Sequence, residues 1–350
     1  MTTHEREITE PVLLCRPDSG ALAPGALGWS RRPLHVCNLR GRPLRAKRWD
    51  YWAVLTGDLA VSVTYADIGY LGTATVWWAD LATGATGGRE VIVPGGRGFD
   101  LPDVPGSAPL RFRSSHLDLD LVTEGPDASG AGGGTTITGR WHESDGTESR
   151  LDVRVDDPAG HESLNVVIPW SDRLFQYTSK HQARPARGEL VVEGRTLRIG
   201  DGAPAWGVLD VGRGRWPYST RWNWGGGAGT ADDGHTVVGL QLGGIWTRGT
   251  GFTENGVLVD GRLTKIGTEL VWDYVWDDPM RPWRVRHPDG SLDVTLTPRF
   301  DRHAKVQALV VATEVHQVFG SWTGHVTTDE GREIRVTGIP GFAEESRSRW

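Results

Sequence analysis

Apolar and polar residues alternate in short runs along most of this chain, and the runs end at glycine, proline or Asp-Gly, the pattern of strands joined by tight turns. The clearest runs are LAVSVTY (59–65), TATVWWAD (73–80), LRFRSSHLDLDLVTE (110–124), and the pair TTITGRWHE and SRLDVRVDD turning over SDGTE. SLNVVIPW (163–170), HTVVGLQLGG (235–244), GVLVDGRLTKIG with its Asp260-Gly261 turn, ELVWDYVWDD (269–278) and WRVRHPDGSLDVTLTPRF continue the pattern. QALVVATEVHQVFGSWTGHV with REIRVTG predicts a last long ladder. GPDASGAGGG (125–134) and GGGAG (225–229) read as flexible loops, and the tail GFAEESRSRW is the one candidate for a short helix.

Composition supports the same picture. With 48 glycines, 20 prolines, two methionines and abundant Val, Thr and Trp, the chain is expected to be all-β. An internal echo divides it. ARGELVVEGRTLRIGDGAPAWGVLD (186–210) and SWTGHVTTDEGREIRVTGIPGFAEE (321–345) align Gly188 with Gly324, Gly194 with Gly331, Gly207 with Gly341, and Asp210 with Glu344. Two related β domains, each closing with the same hairpin, are the expectation: residues 49–205 and 206–350, after a proline- and arginine-rich lead-in over 1–48.

A net charge of −6 without a long basic run argues against nucleic acid or an anionic membrane as partner and leaves a neutral or apolar small molecule. No run of uncharged apolar residues is long enough to span a membrane, and Cys15 and Cys37 fit neither a disulfide scaffold nor a zinc motif, so a cytoplasmic protein is expected. GRGRWP fails the dinucleotide fingerprint, HESLN (161–165) is no HExxH, and neither a phosphate loop nor GxSxG occurs, so no metal or nucleotide cofactor is implied. Oligomeric state is not legible.

The chemistry concentrates in WGVLDVGRGRWPYSTRWNW, Trp206–Trp224. Trp206, Trp216, Tyr218, Trp222 and Trp224 mixed with Asp210 and Arg213 suggest the wall of a ligand pocket, the alternative being a core seam between sheets. Desolvation of Asp210 among rings would make it a proton donor, whereas pairing with Arg213 or Arg215 would make it a structural ion pair. Glu254 and Asn255, in the glycine-rich GTGFTENG, form a second polar knot, alternatively a loop cap. Tyr177, Lys180 and His181 crowd beside a strand, Lys180 and His181 being either a tuned acid–base pair or two solvated side chains. His316 alternates with apolar residues as a candidate catalyst or a satisfied core histidine.

GELVVEGRTLRI, the following Asp210 and Trp216, WNW, the Asp233-Gly234 turn, GVLVDGR, and FGSWTGHV with RVTGIPGFAEE resemble the AttH-like and carotenoid 1,2-hydratase superfamily. With KRWDYW (47–52), DVGRGRWPYSTRWNW and FTENGVLVDGRLTKI, the whole chain is most similar to the uncharacterised family known as domain of unknown function 2804. The resemblance implies two consecutive lipocalin-like antiparallel β-barrels or bent sheets. It also implies a hydrophobic isoprenoid- or polyketide-like ligand held within or between them, and it sets Asp210 at the position of the hydratases' proposed proton donor. Those relatives place a tryptophan close behind the acid, whereas here Trp216 follows six residues later. The expected function is binding of such a ligand, with cofactor-free acid-assisted hydration, cyclisation or isomerisation. A non-catalytic carrier and a carbohydrate-active protein are the alternatives.

Overall fold

A computed structural model describes residues 3–40, 45–125, 132–308 and 311–349. Residues 126–131 of the loop expected over 125–134 lie outside the described residues, and Gly133 already opens a strand. Two curled antiparallel sheets hold most of the chain. In the first, Ala46–Leu55, Leu59–Asp67, Leu71–Asp80 and Thr86–Pro94 run outward from a central strand, Trp206–Arg215. On its other side lie Phe175–Val192, Glu148–Asp157, Gly133–His142, Leu117–Glu124 and Leu110–Arg113. The second sheet repeats this order around Glu333–Arg349. Ser219–Thr230, Val237–Gly244, Asn255–Val259 and Arg262–Ile266 lie on one side; Val311–Thr327, Leu292–Ala308, Trp283–Arg286 and Val271–Asp273 lie on the other.

Each sheet curls around its own apolar core, built on Trp78, Trp141, Val153 and Leu190 in the first and on Trp283, Trp322, Val294 and Leu240 in the second. Period-two alternation explains this, since the inward residues of each strand are apolar while the outward ones meet water or the other sheet. Asp118 and Asp120 sit on the outer side, Asp120 paired with Arg113. The echoed glycines occupy matching places. Gly188 and Gly324 both have φ near +150° and lie opposite Val153 and Val294 in register, and Gly194 and Gly331 turn the two closing hairpins at φ +71° and +80°. The Asp260-Gly261 turn has both residues at positive φ, 48° and 77°, the two-residue hairpin geometry that suits strand twist.

Four local expectations change. The strand Trp206–Arg215 belongs to the first sheet, not to the start of a second unit, because it pairs with Ala46–Leu55 on one side and Phe175–Val192 on the other; the chain crosses between sheets after Arg215. The tail is no helix. Gly341–Ser346 pairs with both neighbours in the central strand of the second sheet, so ladder bonds outweigh its helical residues. The run 225–229 is no loop either: it lies inside Ser219–Thr230, where side chains have no room. A Cβ at Gly226 would stand 2.7 Å from Gln182 of the first sheet, and one at Gly227 would stand 2.8 Å from the Trp322 ring. Of 269–278, only Val271–Asp273 is strand.

The lead-in wraps the first sheet and reaches the second. Leu14, Cys15, Leu22 and Cys37 pack on Val167, Phe175 and Tyr177, both cysteines being free and buried. Glu5 accepts from Lys265 Nζ (2.8 Å) and from the N–H and hydroxyl of Thr253, fastening the arm beside Glu254.

Candidate functional site

The two sheets pack against one another where Phe175–Val192 and Trp206–Arg215 of the first meet Ser219–Thr230 and Val237–Gly244 of the second, and polar side chains are buried at that seam. Lys180 and Asp210 are cross-strand partners in the first sheet. Lys180 Nζ stands 3.0 Å from Asp210 Oδ1 and 3.5 Å from Glu254 Oε2, and lies over the Trp224 ring at 4.1 Å. Glu344, the counterpart of Asp210 in the second sheet, completes the group. Three carboxylates thus surround one ammonium with little water.

Each carboxylate is capped by an indole N–H: Asp210 by Trp49 (3.2 Å), Glu254 by Trp246 (2.6 Å) and Glu344 by Trp222 (2.8 Å). Thr178 also donates to Asp210, at 3.2 Å, and Gln317 Nε2 donates to Glu344 at 3.0 Å. Two of these caps follow from the duplication. Trp49 and Tyr51 lie in register with Gly212 and Asp210, as Trp222 and Trp224 do with Ser346 and Glu344. The sequences that place them, Arg48-Trp49-Asp50-Tyr51 and Arg221-Trp222-Asn223-Trp224, are themselves an echo. Glu344, Trp49 and Tyr51 were missed as site residues, although this repeat and the pairing of Asp210 with Glu344 were the signals that could have found them.

Burial pushes Glu254 up to about 7, against the pull of Lys180, and pushes Glu344 up to about 7, against the Trp222 hydrogen bond and Lys180. For Lys180, burial acts downward, but Asp210 and Glu254 override it and hold the ammonium above the ordinary lysine value. Exposure separates the two glutamates: Glu344 keeps 8% of its surface and Glu254 only 1%, while Asp210 also keeps 8%. Tyr51, deep between the sheets, retains accessible surface as well. Tyr51 and Trp222 adjoin Glu344, Trp222 through its indole N–H and Tyr51 through Gln317, at the less deeply buried end of the cluster. The ammonium occupies the centre of the cluster, where a cation bridging these carboxylates would have to sit.

Between about pH 4.5 and 7 the folded protein keeps protons on Glu254 and Glu344 that the unfolded chain has released, so their contribution to stability is full below that window and declines as pH rises through it. His35 and His181, held neutral by burial at about 4 and about 3, act in the opposite sense below pH 6.5. The comparison that isolates the carboxyls is with Glu254→Gln and Glu344→Gln. Relative to wild type, the melting temperature of each variant is expected to rise as pH goes from 5 to 8. A flat difference in calorimetry would mean that both groups titrate normally.

The remaining expected residues divide by strand parity. Trp216 is seam: its ring stacks on Trp246 (centroids 5.3 Å) and its N–H donates to Gln176. Trp206 lies farther along the strand, against Ala183 and Ala228. Arg213 points to the opposite face and pairs with Asp50 at 2.6 Å, while Arg215 binds the carbonyls of Gly20 and Arg40 and Arg221 pairs with Glu345, so Asp210 pairs with Lys180 instead of an arginine. Tyr177 donates to Asn165 beneath the lead-in, and Tyr218 is half exposed at the crossover. Asn255 accepts from Gly243 N–H and donates to Thr268, holding the segment that carries Glu254. His316 lies on the other face from Gln317, bonded to Asp301.

His181 is separated from Lys180 because neighbours on a strand point oppositely. Arg184 donates to His181 Nδ1 at 2.9 Å, so Nε2 carries the proton and donates to Ser179 (2.9 Å); the imidazole therefore cannot act as base toward that hydroxyl. His181 and Arg184, with Trp52, Val155, Leu209 and Val211, line a mixed polar and apolar cavity of about 1050 Å³ in the first sheet. That cavity lies across the strand from Asp210; of the Trp206–Trp224 stretch it takes Leu209 and Val211, and none of the four tryptophans lines it. Leu209 and Val211 alternate with Asp210, and the tryptophans consume their faces against one another.

An all-β duplication with an indole-capped carboxylate and lysine cluster at its seam is the class that fold and site define. The chain belongs to the family described as domain of unknown function (DUF2804), which it matches over residues 5–350. No curated protein matches the sequence significantly. Similar solved structures include an AttH-like protein from Nitrosomonas europaea (15% identity, 87% of this chain and 93% of that one, TM-score 0.45). Kievitone hydratase from Nectria haematococca is similar at 11% identity, over 90% and 93% of the two chains, with a TM-score of 0.47. CghA is similar at 12% identity, over 89% and 90%, with a TM-score of 0.39. These likenesses say nothing about activity. Among the described residues, no helix is long and apolar enough to cross a membrane.

Proposed function

We propose that the chain binds a hydrophobic small molecule, isoprenoid- or polyketide-like, in the space between the two sheets and acts on it by cofactor-free acid catalysis with Glu344 as proton donor. The observation that carries this reading is a carboxyl, Glu344, that burial beside aromatic rings pushes up to about 7, so that it holds a proton near neutrality, and that is less deeply buried than Glu254. Protonation of an alkene or carbonyl leaves positive charge on the ligand. In this reading the rings of Tyr51 and Trp222 and the carboxylate of Asp210, held beside Lys180, stabilise that charge. Hydration, cyclisation and isomerisation all begin with this step. Asp210, tied to an ammonium, is the electrostatic partner in this scheme and not the donor. The burial of all three carboxylates favours an enclosed apolar ligand over an open groove for sugars.

The test couples two measurements. Mass spectrometry of molecules that copurify with the protein identifies the ligand class, and infrared spectra at pH 6 should show a buried carboxylic acid band that weakens in Glu344→Gln, the remainder belonging to Glu254. The variant is expected to keep the ligand and lose conversion by about 10²–10⁴-fold, the usual worth of a general acid. Ligand retained and conversion unchanged would make Glu344 a structural group; copurification of sugars alone would overturn the ligand class.

A further inference from the structure

The second sheet carries another cluster, unrelated to the seam. We propose that His303, Glu314 and His316 form a zinc site. His303 and His316 are cross-strand partners on Leu292–Ala308 and Val311–Thr327, with ring centroids 4.2 Å apart. Glu314, two residues from His316 and so on the same face, has Oε1 at 3.1 Å from His303 Nε2. One ligand atom from each of the three can be chosen so that all lie within 4.8 Å of one another. Ligand atoms about 2.0–2.2 Å from a shared zinc stand roughly 3–4 Å apart, a difference that small side-chain rotations of the exposed His303 close.

A second observation points the same way. Asp301 Oδ2 accepts from His316 Nδ1 at 2.7 Å, and the Trp276 ring lies edge-on to the imidazole at 4.5 Å. A carboxylate on Nδ1 fixes the proton there and leaves the Nε2 lone pair for a ligand bond. That is the arrangement in which proteins orient metal-binding histidines. Lys305, whose Nζ is 3.1 Å from Glu314, is the competing cation; it is more than half exposed and can turn to water when an ion replaces it. Two imidazoles and one carboxylate suit zinc with a fourth position open to water. The sequence offered no motif, since positions 303, 314 and 316 meet only through hairpin pairing.

The test uses the untagged full chain, stripped with a chelator and titrated with zinc chloride by calorimetry, with cobalt(II) absorption as a coordination probe. Expected are saturable one-to-one binding and the visible bands of a four-coordinate cobalt site. Affinity should fall by about 100-fold or more in His303→Ala and in His316→Ala, and by about 10–100-fold in Asp301→Asn, where only the orienting bond is lost. Metal-free melting curves of the variants establish that they fold, His303 being a surface position. The absence of saturable binding by the wild type, or binding by folded His316→Ala within about threefold of it, would overturn the site.

Discussion

Lys180→Met is expected to destabilise the protein by about 3–5 kcal/mol at pH 8, the cost of leaving buried charge without its partner. The side chain has similar length and can fill the space beside the Trp224 ring, so little packing is lost. What is lost is the ammonium 3.0 Å from Asp210 and 3.5 Å from Glu254, with Glu344 also in its field. The sign of the pH dependence makes the prediction specific. At pH 5 Glu254 and Glu344 already hold protons, so the cation matters less and the deficit should shrink. Denaturant unfolding of wild type and variant at the two pH values checks this, and an equal deficit at both would show that Lys180 contributes by packing alone. A variant that folds at pH 5 should also lose conversion of the ligand, because Asp210 would lose the ammonium that positions it at the seam.

Gly188→Ala and Gly324→Ala should be nearly equal in effect and severe, about 4 kcal/mol or more each. Both positions have φ near +150°, where a side chain is strained whatever the space. Space is also missing: a Cβ would stand 2.0 Å from Asp152 O and 2.1 Å from Asp293 O, each a carbonyl of the neighbouring strand. The strands would have to part and several ladder bonds would be lost. Gly194→Ala is the control. It sits at φ +71° with nothing within 4 Å, so only the conformational strain of about 1 kcal/mol applies. Thermal melts of the three variants decide the matter. A mild Gly324→Ala beside a severe Gly188→Ala would contradict the structural equivalence of the two hairpins.

Much of this was legible in residue order because period-two alternation and turn chemistry are local. The hairpins over SDGTE, Asp260-Gly261 and PDG, the all-β character and the pairing of Gly188 with Gly324 needed no tertiary information. The pairing of Asp210 with Glu344 was legible too, but its meaning was not. Both acids face one seam because the duplication places them at the same register beside Trp49 and Trp222, and that follows only when the sheets meet. The glycine-rich run 225–229 misled for a related reason. In isolation its glycines signal flexibility, whereas in the fold they are the thin places where Gln182, Phe342 and Trp322 press against a strand.

The sequence by itself determined the strands, their turns, the duplication, and the concentration of tryptophan and acid around 206–224, since each rests on a residue and its near neighbours in the chain. Tertiary structure alone decided which face each of those residues presents. It sent Lys180 and His181 to opposite sides of one strand, gave Arg213 to Asp50 and Lys180 to Asp210, and made Trp216 part of a seam. It also buried two glutamates to different depths, Glu254 more completely than Glu344. The physical reason is that charge and proton affinity depend on desolvation and on partners within a few ångströms, and here those partners come from distant positions, Trp49 and Asp210 being 161 residues apart.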